Sequence, residues 1–246
     1  MKATLSLLWA LSLSATVAFS QELKKDLAYF EKIIVSPKIN VVLVKGDHES
    51  IRVVYSNVSP GDINMHVNGN TLHLFLTDAR FIEKRKRIYE NTEPRRVSIY
   101  KYANVTAYVT YRALKRLEVR GEQEVSIDSL VTGDKFKLKA YGEAELYLAG
   151  MKTEKFKAVL YGRNKLRINS GNVESQKFRL YGENRINTRP LTSTYASSRI
   201  YGEGKLALSA SNRFRITSFG EPYIEINGMP KIRRGIMIGR THLEVR

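Results

Sequence analysis

Four tyrosines and a phenylalanine recur through the middle of this sequence, each directly before a glycine: Tyr141, Tyr161, Tyr181, Tyr201 and Phe219. Cations stand five residues before those glycines at Lys137, Lys157, Lys177 and Arg215, and three before at Lys139, Arg179 and Arg199. Ammonium and guanidinium groups hold carboxylate, sulfate or phosphate, and aromatic rings give sugars or bases a stacking surface. Like charges opposite one another on neighbouring strands repel, so a basic stripe of this kind is costly unless something neutralises it. Glu143, Glu183, Glu203 and Glu221 follow the glycines by one residue, with Arg163 as the exception, and are candidate counter-charges. Two readings are therefore open: a face for an anionic polymer, or a solvated surface laced with salt bridges between repeats.

Catalytic equipment is sparse. The aspartates after residue 20 are Asp26, Asp47, Asp62, Asp78, Asp128 and Asp134, too scattered for a calcium loop or a paired-carboxylate centre. The glutamates form a ladder of regular spacing, not an isolated pair. His66 and His73 flank Asn68-Gly69 and face each other if a hairpin forms there, but a metal needs at least one further ligand. There is no cysteine, phosphate-binding glycine loop or nucleophile elbow. We expect no enzyme, no metal and no cofactor.

The elements that position the cations follow from the glycines Gly121, Gly142, Gly162, Gly182, Gly202 and Gly220, spaced by 21, 20, 20, 20 and 18 residues. A fixed period near 20 marks a solenoid. Four before the glycine stand Leu117, Leu138, Ala158, Phe178, Ser198 and Ile216; two before, Val119, Ala140, Leu160, Leu180, Ile200 and Ser218. Four after come Val125, Leu146, Leu166, Ile186, Leu206 and Ile224; six after, Ile127, Leu148, Ile168, Thr188, Leu208 and Ile226. All share one parity, so on strands they face one interior. The cation and tyrosine columns have the opposite parity and face out. The glycine sits at a bend that needs positive φ or has no room for a Cβ. Asn164 and Asn184, two after successive glycines, can form a short amide ladder. The third side of each coil reads as turns, with Leu130, Met151 and Leu191 as core plugs.

Upstream, Ile39-Val41-Leu43, Ile51-Val53-Tyr55, Ile63-Met65-Val67 and Leu72-Leu74-Leu76 alternate as short strands, with Asn68-Gly69 as a hairpin turn. Residues 80–96 interrupt the pattern with Lys84-Arg85-Lys86-Arg87 and Arg95-Arg96, an anion-binding loop or a solvated insertion. The fold expected is all-β: a single-stranded parallel β-helix with coils of about 20 residues and an N-terminal strand and hairpin region. Residues 21–246 form one domain: irregular coils over 30–116, regular repeats over 117–226 and a final coil and cap over 227–246.

Lys2, the uncharged apolar run Leu5–Phe19 and Ala18-Phe19-Ser20 predict a signal peptide over 1–20. The formal charge of +17 loses only that of Lys2 on cleavage, leaving +16. So large an excess favours anionic partners.

The start FEKIIVSPKINVVLVKGDHESIRVVYS, followed by strand–glycine coils, resembles the head GIN domain of auto-transporter adhesins, exported Bacteroidetes proteins, over residues 28–226. The resemblance implies a right-handed β-helix in a periplasmic, cell-surface or secreted setting. It brings no catalytic residues. Tyrosine before the glycine and the basic insertion depart from the family pattern, which has a small residue there. The leading expectation is a non-catalytic exported binding or adhesion module that presents its Tyr/Lys/Arg face to an anionic polysaccharide or envelope component. No specific nucleic acid is expected. A homo-oligomer or partner complex packed through the tyrosines is the alternative, and a polysaccharide-active enzyme a third.

Overall fold

Alternating apolar and polar residues make strands, and a strand whose apolar side is too small to bury itself must stack on copies of itself. The computed structural model describes residues 20–90 and 93–246. They wind into a β-solenoid of about 6 turns without an α-helix. All but Ser20 of the expected signal peptide lies outside the described residues.

Three sheet faces enclose the core. The first carries the residues before each glycine, stacked in parallel register from Lys32–Val35 through Arg116–Gly121 and the ends of Glu124–Gly142, Glu145–Gly162, Gly171–Gly182 and Thr192–Tyr201 to Arg213–Phe219 and Lys231–Ile238. The second carries the residues after the glycines, from Asn40–Lys45 to His242–Val245. The third, expected as turns, is also strand: Leu130–Phe136 pairs with Gly150–Phe156, which pairs with Gly171–Gln176. Phe136, Phe156, Phe178 and Phe214 are buried behind it, enough apolar mass to hold extended chain where short polar residues suggested corners.

Every residue of the four inward columns is buried. Where Thr188 and Ser198 replace aliphatic residues, the interior takes polar groups and satisfies most of them. Gln176 Nε2 donates to Ser193 Oγ (3.0 Å) and to the Ser209 carbonyl (2.8 Å), and Thr188 Oγ1 donates to Gln176 Oε1 (3.1 Å). The amide ladder is present. Asn164 Nδ2 donates to Asn184 Oδ1 (3.0 Å), and the Oδ1 atoms accept from the backbone N–H of Ala144 and Asn164.

The glycines meet both demands placed on them. Gly162 has φ +106°, and a Cβ there would lie 2.1 Å from the carbonyl oxygen of Gly142, one coil below. Gly239 extends the series by one coil.

Three expectations need correction. Met151 and Leu191 plug the core, but Leu130 is 45% exposed and Val131 is buried instead. The Gly121–Gly142 interval holds one extra residue, taken up as a bulge between Ile127 and Leu130 that moves the inward position along by one. The hairpin turn is Gly69-Asn70, since Asn68 still pairs with Thr71 and Gly69 carries the positive φ. The final segment is a true coil, but no strand among the described residues pairs with its outer edge. Lys231, Arg233, Arg234, Arg240 and Arg246 stand along that edge instead, and such charges discourage stray pairing.

The N-terminal end is closed differently. Ser50–Ser56 pairs antiparallel with Gln21–Asp26 on one side and Asn104–Tyr111 on the other, and Ile63–Asn68 runs antiparallel beside Thr71–Leu76. Within the basic insertion, Arg85–Glu90 and Glu93–Ser98 form a separate two-stranded sheet.

Candidate anion-binding face

Parallel stacking puts each outward residue of one coil beside its counterpart on the next, about 4.8 Å away. Register therefore places Lys137, Lys157 and Lys177 in one column, continued after Ser197 by Arg215 and Arg233. The adjoining column reads Glu118, Lys139, Val159, Arg179, Arg199 and Thr217. The cations thus form a staggered band two columns wide, broken at Ser197 and Val159. The sequence period does not reach Arg233, because a bulge between Ile216 and Ser218 puts it six residues before Gly239, not five.

The glutamates that follow the glycines do not neutralise this band. Glu143 accepts from Arg163 within its own column, and Glu183, Glu203 and Glu221 form no ion pair among the described residues. Lys137, Lys157, Lys177, Arg179, Arg199 and Arg215 likewise have no carboxylate partner among the described residues. The buried Arg179 Nε has no acceptor either. Lys139 is the exception, 3.9 Å from Glu118 and 3.3 Å from the Tyr141 hydroxyl. Burial and the charges of Lys139, Arg116 and Arg179 hold the Lys137 pKa below the ordinary lysine value, Glu118 only partly opposing them. Burial, then Arg179, Lys137, Lys177 and Lys139, do the same to Lys157.

Glu118 is the acidic end of the band and is inconspicuous in the sequence, where it reads as one more alternating polar residue. It is 4% exposed and accepts from both Arg116 and Arg120. Burial works to raise its pKa, but those two guanidiniums outweigh it and keep the carboxylate ionised.

The aromatic column is a continuous stack. Ring centroids are 5.1 Å apart for Tyr141–Tyr161, 4.4 Å for Tyr161–Tyr181, 5.0 Å for Tyr181–Tyr201 and 4.8 Å for Tyr201–Phe219, with planes within 5° of parallel. Each interior ring has a neighbour on both faces. The ladder therefore presents edges and hydroxyls outward, so flat stacking of a sugar or base, expected along its length, has no free face at Tyr161, Tyr181 or Tyr201.

His66 and His73 stack across the hairpin with centroids 5.4 Å apart. No group of three or more metal-ligating side chains occurs among the described residues, and none of their helices is long and apolar enough to cross a membrane. In the insertion, Glu83 ties the hairpin base to the body, accepting from Ser98 Oγ and from the Tyr100 N–H at 2.7 Å. Arg85, Lys86, Arg87 and Arg96 are exposed along it.

The same fold occurs in solved structures. A "putative adhesin" from Bacteroides fragilis aligns with a TM-score of 0.77 and 15% identity, covering 94% of this chain and 98% of its own. A "putative adhesin" from Parabacteroides merdae gives 0.69 and 14%, covering 93% and 97%. A "putative lipid binding protein" from Parabacteroides distasonis gives 0.64 and 13%, covering 93% and 97%. No curated protein matches the chain. The family described as "Putative auto-transporter adhesin, head GIN domain" matches residues 29–230, and with most of its length inside that match the chain belongs to this family.

Proposed function

We propose that the protein is a non-catalytic, exported binding module whose cationic band holds an anionic glycan or another anionic component of the cell envelope. One observation carries this reading. Six cations stand on adjoining columns without an ion pair to any carboxylate among the described residues, and burial together with the neighbouring cations depresses the pKa of two of them. A surface evolved only for solubility intersperses the two signs. Here the available glutamates lie one column too far round the coil. A linear polyanion laid along the solenoid axis meets a cation at nearly every coil, and the buried Arg179 Nε gains an acceptor. The tyrosine edges and hydroxyls border the band and offer hydrogen bonds along the same line. The +16 charge expected after cleavage draws anions toward the whole molecule, while the band gives them register.

The test compares elution from immobilised heparin with elution from a plain cation exchanger. The probe variant changes Lys137, Lys157, Arg179 and Arg199 to Ser. The proposal expects wild type to leave heparin markedly later than the exchanger, and the variant to lose that difference with unchanged circular dichroism. Equal elution from both resins, reduced in the variant only in proportion to charge, refutes it. The tyrosine edge would then be tested as a contact between copies.

A further inference from the structure

The tyrosine ladder has two ends, and they are not alike. At the upper end, register sets Ile238 over Phe219, so an aliphatic side chain stands where the next rung would be. At the lower end, register sets Arg120 opposite Tyr141. Its guanidinium, however, is drawn aside to Glu118 (Nε 3.1 Å, Nη2 2.6 Å) and lies 4.6 Å over the Phe81 ring. Among the described residues no ring stacks on the lower face of Tyr141, in contrast to every rung above it, and the nearest cation to its ring, Lys139 Nζ, stands 5.9 Å from the centroid.

Tyr141 lines a cavity of about 700 Å³ between the first regular coil and the base of the insertion. Its volume lies within the range of about 300–1,000 Å³ typical of small-molecule sites. Pro37, Phe81, Ile82 and Tyr141 supply its apolar walls. Phe81 is 65% exposed and Ile82 84% exposed, a large apolar surface to leave in water beside a basic hairpin. The charged groups balance: Lys38, Arg85 and Arg120 against Glu83, Glu118 and Glu122. Unlike the cationic band, this cavity has no net attraction for an anion. An aromatic platform surrounded by both cationic donors and carboxylate acceptors suits a pyranose ring. Its C–H face lies on the aromatic face, and its hydroxyls bond to carboxylates and guanidiniums at the rim.

We propose that this cavity binds one sugar ring, stacked on Tyr141 as the next rung of the ladder. The proposal rests on the reading of the protein as a glycan binder and deepens it. The band grips charge along a chain, whereas the cavity takes a single ring, at a chain end or branch. It also gives the insertion a purpose, since Phe81, Ile82 and Arg85 come from its first residues.

The experiment uses uncharged probes, so the band cannot answer for the cavity. The methyl glycosides of glucose, galactose, mannose and N-acetylglucosamine are screened by saturation-transfer NMR at low and high salt, and any hit is titrated. The expected result is transfer to the ring C–H protons of at least one glycoside, with affinity insensitive to salt. Arg120→Tyr, which puts a ring into the empty rung, should weaken binding at least about tenfold. Phe81→Ala, at an exposed position outside the core, should weaken it several-fold and carries the test if Arg120→Tyr fails to fold. The Ser-substituted band variant should bind the glycoside like wild type even where its heparin retention is lost. No transfer from any of the four glycosides, or titrations unchanged by both cavity substitutions, overturns the proposal and leaves the band untouched.

Discussion

Gly162 shows how far a single residue is constrained in a stack of identical coils. Its φ of +106° is open to glycine at little cost, and any Cβ would be driven to 2.1 Å from the Gly142 carbonyl oxygen. Gly133 separates the two effects, having φ +136° but open space, with nothing within 4 Å, where a Cβ would stand. Gly133→Ala should cost about 1–2 kcal/mol from backbone strain alone. Gly162→Ala adds displacement of a neighbouring coil and should cost about 2–4 kcal/mol. Urea unfolding of the two variants checks the order. Equal losses would mean that coil contact contributes nothing to the demand for glycine. This much is legible in the sequence, because the constraint repeats every coil and leaves a period. Glu118 is not: its role depends on Arg116, Arg120 and Lys139 converging on it from two coils, which no spacing reveals.

At the scale of one strand column, the lysines record the strain of stacking like on like. Lys137 and Lys157 have folded pKa values below the 10.5 of an ordinary lysine, through burial first and neighbouring cations next. The fold therefore disfavours their charged forms. The stability contributed by these two groups is lowest at neutral pH. It rises as pH climbs from the folded pKa toward 10.5 and is complete above it. Lys137→Met/Lys157→Met should then be more stable than wild type at pH 7, by up to about 1 kcal/mol for each relieved pair, and melt at a higher temperature. That advantage should shrink as the pH is taken up through the window just below 10.5. Thermal melts at a series of pH values decide the matter, and an advantage that stays constant with pH would contradict the assignment. The same columns show where reading by period ends. Twenty-residue coils keep register, so the inward columns and the tyrosines fall where expected. The 21-residue coil hides its extra residue in a bulge, so the period points to Leu130 where Val131 is the buried residue. The third face resembles turns in sequence because its first residues are small and polar, as at Ala149-Gly150 and Ser170-Gly171, while the phenylalanines that hold it extended, Phe136 and Phe156, stand at the far ends of its strands.

Over the whole molecule, a regular solenoid turns a local sequence pattern into a long surface of one character. The two ends are finished in different ways. Antiparallel strands close the N-terminal end, and a fringe of arginine and lysine guards the outer edge at the other. The cavity is invisible in the sequence because its walls come from Pro37, the start of the insertion and the first regular coil, brought together only by folding. What runs between the ends is the cationic band, and its central property is that the charges act together. Counterion release makes the logarithm of affinity fall linearly with the logarithm of salt, at about 0.7–0.9 for each charge engaged. The direct measurement is that slope for wild type and for the Lys137, Lys157, Arg179 and Arg199 to Ser variant, titrated with a heparin oligosaccharide. The account predicts a steep wild-type slope and a variant slope shallower by about 3. Parallel slopes, with the variant only uniformly weaker, would contradict it.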